Sequence, residues 1–102
     1  MDIKKLALQS ILKAIDELNE SFPQEKRLTI SNETLLFGNN GNLDSLAFMN
    51  LIISIEQHIQ NDFDVSITIA DEKALSKKQS PFESIETLTN YITLILYEKL
   101  NS

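Results

Sequence analysis

The sequence predicts an all-α domain with three main helices and one short helix, and a long loop between the first and second helices. Three segments place apolar residues at three- and four-residue spacing, as amphipathic helices do. One short stretch alternates apolar and polar residues, but it has no second strand to pair with. The length of 102 residues, 42% of them hydrophobic, predicts a single domain over residues 1–102.

The first helix is predicted over about residues 2–20, where charged residues separate the apolar positions. Phe22 and Pro23 end it. The loop that follows closes with residues 38–42, whose Gly and Asn residues are typical of a tight turn. Two apolar islands within the loop, Thr29 with Ile30 and residues 35–37, are expected to pin it onto the core.

The second helix begins at Asp44 or Ser45 and is predicted to run to about Asn61. Opposite its core-facing side, three apolar residues lie among polar ones: Leu46, Met49 and Ile53. Two interpretations are open: the loops bury this second side, or it is a docking face with an apolar centre and a polar and acidic rim. The stripe predicted to face the core comprises Phe48, Leu51, Ile52, Ile55 and Ile59.

The rest of the chain is predicted to hold extended loop, one short helix and the last helix. Residues 66–69 alternate but are interpreted as extended loop. One helical turn is predicted over residues 71–75, followed by a polar linker over 76–79. The last helix has two candidate starts: a capping box of Ser80, Pro81 and Glu83, or Ser84. Its apolar side comprises Ile85, Leu88, Ile92, Ile95 and Leu96.

Composition excludes several classes of function. Without cysteine the chain forms neither disulfide bonds nor a thiolate metal site. A net charge of -6 and a pI near 4.6 argue against nucleic acid as a partner. With neither a signal peptide nor an apolar run of ~20 residues, we expect a cytoplasmic protein without membrane insertion. No paired carboxylates, phosphate loop or metal-ligand spacing indicates an enzyme.

The acidity is concentrated in residues 44–72, which contain six acidic side chains and no Lys or Arg. This stretch alone matches the net charge of the whole chain, -6. Two interpretations are open. The stretch produces a uniformly negative potential that attracts basic partners, or it is a solvated helix face followed by an acidic loop.

Residues 41–46, Gly-Asn-Leu-Asp-Ser-Leu, lie at the start of an amphipathic helix after a long loop, and in this context they resemble the acyl carrier protein family. The likeness continues in Ile55 and Glu56, in Phe-Asp-Val at residues 63–65, and in Ser-Ile-Glu-Thr-Leu at residues 84–88. It therefore extends over nearly the whole chain and implies an acyl-carrier-like helical bundle.

The resemblance implies that Ser45 carries 4'-phosphopantetheine, whose thiol holds an acyl or aminoacyl group as a thioester. The implied partners are a phosphopantetheinyl transferase, an acyl- or aminoacyl-loading enzyme, and downstream transferases or synthases. We expect a monomer, since a carrier visits several active sites. The residues expected to dock these partners are Asp44, Leu46, Met49, Ile53 and Glu56.

Departures from the family pattern favour a specialised biosynthetic carrier. Asn50 and Gln57 lie where acids are common in the family, and the segment 61–82 is longer than in compact fatty-acid carriers. Phe48 is bulky for its position, and we expect it to narrow any internal pocket for a long acyl chain. Two alternatives stay open: a peptidyl or aminoacyl carrier for an adenylating enzyme, and an unmodified carrier-like interaction module.

The single histidine, His58, is expected on the flank or surface of the second helix, because one His forms neither a metal cluster nor a catalytic triad. It lies more than three helical turns beyond Ser45. Activation of Ser45 is therefore expected to come from the transferase.

Overall fold

The structure, a computed structural model, describes residues 2–31, 33–37, 42–69 and 81–101. Over these ranges the chain is all-helical, as predicted. It contains α1 (Ile3–Glu20), α2 (Ser45–Phe63), α3 (Ile85–Leu100) and a 3-10 turn at Gln24–Lys26. Residues 66–69 form extended loop without strand pairing, which confirms their interpretation. The predicted turn at 71–75 and the linker at 76–79 lie outside the described residues.

The start of α3 shows which of its two predicted caps is used. Helix α3 begins after Ser84, whose hydroxyl accepts the Thr87 N–H at 3.2 Å, while the Thr87 hydroxyl accepts the Ser84 N–H at 3.0 Å. A start with the capping box of Ser80, Pro81 and Glu83 is wrong, because Pro81 and Glu83 both lie before the helix. An isolated backbone bridge between Leu35 and Ser84 holds Ser84 extended, so the helix begins only after it.

Helix α1 provides the surface on which the other two helices pack, and α2 and α3 each contact α1 more extensively than they contact one another. The predicted inward stripe of α2 is buried along its whole length, and of the α3 stripe only Ile95 is half-buried. None of the described helices combines the length and apolar character needed to cross a bilayer. Fully buried core residues include Ile11, Ile15, Ile55, Ile59, Leu88 and Ile92.

Two loop residues anchor the connection between α1 and α2. Leu36 is completely buried, which confirms the second apolar island, but Ile30 is 45% exposed and its predicted role is wrong. Leu28 is buried instead. The Asn19 side chain accepts the Leu28 N–H at 2.8 Å and donates to the Leu28 carbonyl at 3.1 Å, so the loop is fixed with Leu28 turned inward.

Candidate functional site

The first turn of α2 holds Ser45 at the surface. Asp44 caps the helix, with its carboxylate accepting the Ala47 N–H at 2.8 Å. Just before it, buried Leu43 donates its N–H to the Leu36 carbonyl at 2.9 Å, which fastens the incoming loop. Ser45 is the first residue of the helix and is exposed. Its hydroxyl is therefore accessible at the positive end of the helix dipole.

An apolar surface begins directly beside Ser45. Leu46 is 73% exposed, Met49 45% and Ile53 49%, and the polar side chains of Asn50 and Gln57 are exposed around them. The interpretation that the loops bury this side of α2 is wrong. We call Leu46, Met49 and Ile53 the apolar face.

Glu56, expected to contribute charge to this surface, has a structural contact that sequence reasoning missed. Its carboxylate accepts the N–H of Ile69 at 2.8 Å, and Ile69 is completely buried. Glu56 is half-buried and fastens the loop after α2 against the helix. The spacing of 13 residues between the two gives no pattern from which this bond could be predicted.

The acidic residues in and next to α2 differ in their contacts and exposure. Asp62 faces α1, where its carboxylate accepts hydrogen bonds from the Ser10 hydroxyl at 2.9 Å and from Lys13 at 3.3 Å. Burial acts to raise the pKa of Asp62, but the bonds from Ser10 and Lys13 outweigh it and hold that pKa below its usual value. Asp44 and Asp64, at the two ends of the helix, are exposed.

His58 lies on the flank of α2, as predicted. It is half-buried, and its Nε2 pairs with the Glu17 carboxylate of α1. The pair joins two helices, and it lies thirteen residues along α2 from Ser45, about 20 Å at the helical rise. His58 is therefore not placed to act on the Ser45 hydroxyl.

A surface cleft of about 220 Å³ lies between α1 and α2. Ser45 is not among its lining residues. Within the described ranges, no three His, Asp or Glu side chains are grouped as metal ligands. The cleft is lined by Ala14, Glu17, Leu18, Ser21, Asn50, Leu51 and Ser54.

Comparison of this chain with protein-family models, with curated proteins and with solved structures gives no match.

Proposed function

We propose that this chain is a carrier protein that acts as a monomer in the cytoplasm, in a specialised biosynthetic pathway. Ser45 carries 4'-phosphopantetheine, whose thiol holds an acyl or aminoacyl group as a thioester for presentation to partner enzymes. The observation that supports this most is the exposed Ser45 at the capped start of α2, directly beside the apolar face. Residues 41–46 resemble acyl carrier proteins, and this likeness is the reason for interpreting the exposed Ser45 as an attachment site.

The first turn of α2 suits a phosphodiester on Ser45. The backbone N–H groups at a helix N-terminus have no partner within the helix and favour a negative charge. The Asp44 carboxylate already accepts the Ala47 N–H. A phosphate on Ser45 can therefore accept hydrogen bonds from the remaining free amides of the first turn. Electrostatic repulsion from the Asp44 carboxylate directs this phosphate toward solvent.

The chain supplies the nucleophile but not its activation. His58 is engaged with Glu17 at a distance from the site, so the transferase must take the Ser45 proton. The Ser45 Oγ forms a bond to the phosphorus that bears pantetheine in coenzyme A. The phosphoanhydride bond breaks, and adenosine bisphosphate leaves with the electron pair.

The apolar face is the proposed docking surface for the transferase and the later partners. Its three side chains are exposed, as the anchors of an interface must be, and polar residues surround them. Asp44 and Asp64, the exposed acidic residues at the two ends of α2, are negatively charged. A partner surface with an apolar centre and basic groups at its edge complements this pattern.

The test is intact mass spectrometry after incubation with coenzyme A and a broad-specificity phosphopantetheinyl transferase. We expect addition of one phosphopantetheine to the native chain and none to Ser45→Ala. The matched control is Ser66→Ala, which removes another exposed serine and should leave the addition unchanged. Circular dichroism checks that all three proteins are folded.

No addition to a folded native chain would refute the carrier proposal. The exposed apolar face would then favour an unmodified interaction module. If the arm is attached, a panel of acyl donors and adenylating enzymes distinguishes an acyl carrier from a peptidyl or aminoacyl carrier.

A further inference from the structure

Aromatic rings pack together one helical turn after Ser45, on the inward side of α2. Phe48 follows Ser45 by three residues, so the two lie on the same side of the helix one turn apart. Phe48 is only 3% exposed. Its ring stacks on Phe37 with centroids 4.5 Å apart and planes 13° apart, and lies 5.1 Å from the ring of Phe82. A chain that left Ser45 and turned into the bundle would meet these rings first.

The rings continue to α3. Phe82 makes an edge contact with Tyr91 of α3, with centroids 6.3 Å apart. Helices α2 and α3 contact α1 more extensively than they contact one another. The four rings connect α2 to α3 near the Ser45 end of α2. We call Phe37, Phe48, Phe82 and Tyr91 the aromatic row.

Backbone hydrogen bonds fix two of these rings in place. The Phe37 N–H donates to the Phe82 carbonyl at 3.1 Å, and the Leu36 N–H donates to the Glu83 carbonyl at 2.7 Å. The Ile85 N–H donates to the Thr34 carbonyl at 3.0 Å on the same pair of segments. Separating the two segments that carry Phe37 and Phe82 therefore breaks main-chain bonds as well as ring contacts, and the unpaired groups are costly where they are buried.

We propose that the aromatic row closes the described part of the bundle to the cargo, so that the group carried on Ser45 is a short or polar acyl group that stays in solvent. This inference rests on the proposed function. A long alkyl chain gains free energy from burial in proportion to its apolar area. The α1–α2 cleft offers little of that burial, because Glu17, Asn50 and Ser54 interrupt its apolar lining and Ser45 is not among the residues that line it.

The test attaches acetyl- or octanoyl-phosphopantetheine to Ser45 from the corresponding acyl-coenzyme A, with each product verified by mass. The octanoyl form should melt within about 1 °C of the acetyl form, because a ligand that makes no contact with the folded state does not stabilise it. The amide NMR signals of buried Leu51, Ile55 and Leu88 should be the same in both forms. Hydroxylamine should cleave both thioesters at rates within about twofold, since neither is shielded from solvent.

Phe48→Ala provides the matched variant, because removing the ring leaves an apolar cavity next to the attachment site. Octanoyl should raise the Tm of this variant by several degrees relative to acetyl. If Phe48→Ala does not fold, Phe37→Ala replaces it, since Phe37 is only half-buried. A folded variant that gains nothing from octanoyl would show that the rings are not what excludes the chain.

The two proposals fail in different ways. If no donor adds mass to Ser45, the proposed function is wrong and this inference falls with it. If mass is added, and octanoyl raises the native Tm by several degrees or slows thioester cleavage tenfold, only the inference is overturned.

Discussion

Replacing Ile55 by alanine should destabilise the protein far more than the same replacement at Ile53, two residues earlier on α2. Ile55 is 0% exposed and Ile53 is 49% exposed. The two variants lose the same atoms from the same helix. Their difference therefore isolates burial, and it tests directly which side of α2 faces the core.

The expected magnitude follows from the atoms removed. Ile→Ala deletes three carbons, worth roughly 2.4 kcal/mol at about 0.8 kcal/mol for each buried CH₂. The cavity left at Ile55 adds to this, which gives a loss of about 2 to 5 kcal/mol. At Ile53 half of the surface is already in water, and alanine is the better helix former, so the change should stay within about 1 kcal/mol.

Urea unfolding followed by far-UV circular dichroism measures both variants. With a slope of about 1 to 1.5 kcal/mol per M, a loss of 3 kcal/mol lowers the midpoint by about 2 M or more. The Ile53→Ala midpoint should stay near that of the native protein. Equal midpoints, or a lower one for Ile53→Ala, would mean that the two sides of α2 are assigned the wrong way round.

Three further predictions concern the docking surface, an ion pair and a helix cap. Ile53→Glu should keep the native unfolding midpoint but lower kcat/KM for modification of Ser45 by the transferase about tenfold, equivalent to about 1.4 kcal/mol; an unchanged kcat/KM would rule out the apolar face as a docking site for that enzyme. Asp62 has a lowered pKa in the folded state, so its contribution is complete above the unfolded-state pKa and is lost as the pH falls through the folded value. Asp62→Asn should therefore be less stable than the native protein at pH 7, by less than about 1 kcal/mol because the pair with Lys13 is partly solvent-exposed. The difference in stability should shrink as the pH falls below the usual pKa of an Asp carboxyl, and a difference that does not shrink in acid would contradict this account. Ser84→Ala should cost about 1 kcal/mol of unfolding free energy through loss of the α3 cap, whereas Ser66→Ala in the extended loop should cost almost none; equal stability of the two would show that the cap contributes little.

The helices were predictable from the sequence because their signal is repeated. Each turn of α2 places another apolar residue on the inward side, so one ambiguous position cannot reverse the assignment. The same repetition places Leu46, Met49 and Ile53 outside, where the structure leaves them exposed. The start of α2 was also readable, because Asp44 is a strong helix-capping residue followed directly by the apolar period.

The loops were less predictable because single contacts decide their burial. Leu28 is buried in place of Ile30 through two hydrogen bonds to Asn19, nine residues away. Ser84 starts α3 because its backbone pairs with Leu35, almost fifty residues earlier. Near the candidate site, the helical period predicted that the bulky Phe48 side chain faces inward. Its stacking on Phe37 could not be predicted, because it depends on long-range pairing of the chain that no local pattern encodes.

The bonds that join residues 34–36 to residues 83–85 have a consequence for how the molecule meets other proteins. They close the intervening chain into a non-covalent ring that contains the whole of α2. Both ends of the ring are held together by main-chain bonds, so α2 is tethered at the foot of its first turn as well as packed along its length. The backbone beneath the apolar face is thereby preorganised, and little backbone entropy is lost there on association. In the part of the chain that the structure describes, α2 therefore offers a single backbone shape for recognition. Adaptability then has to come from the partner and, under the proposed function, from the flexible arm on Ser45.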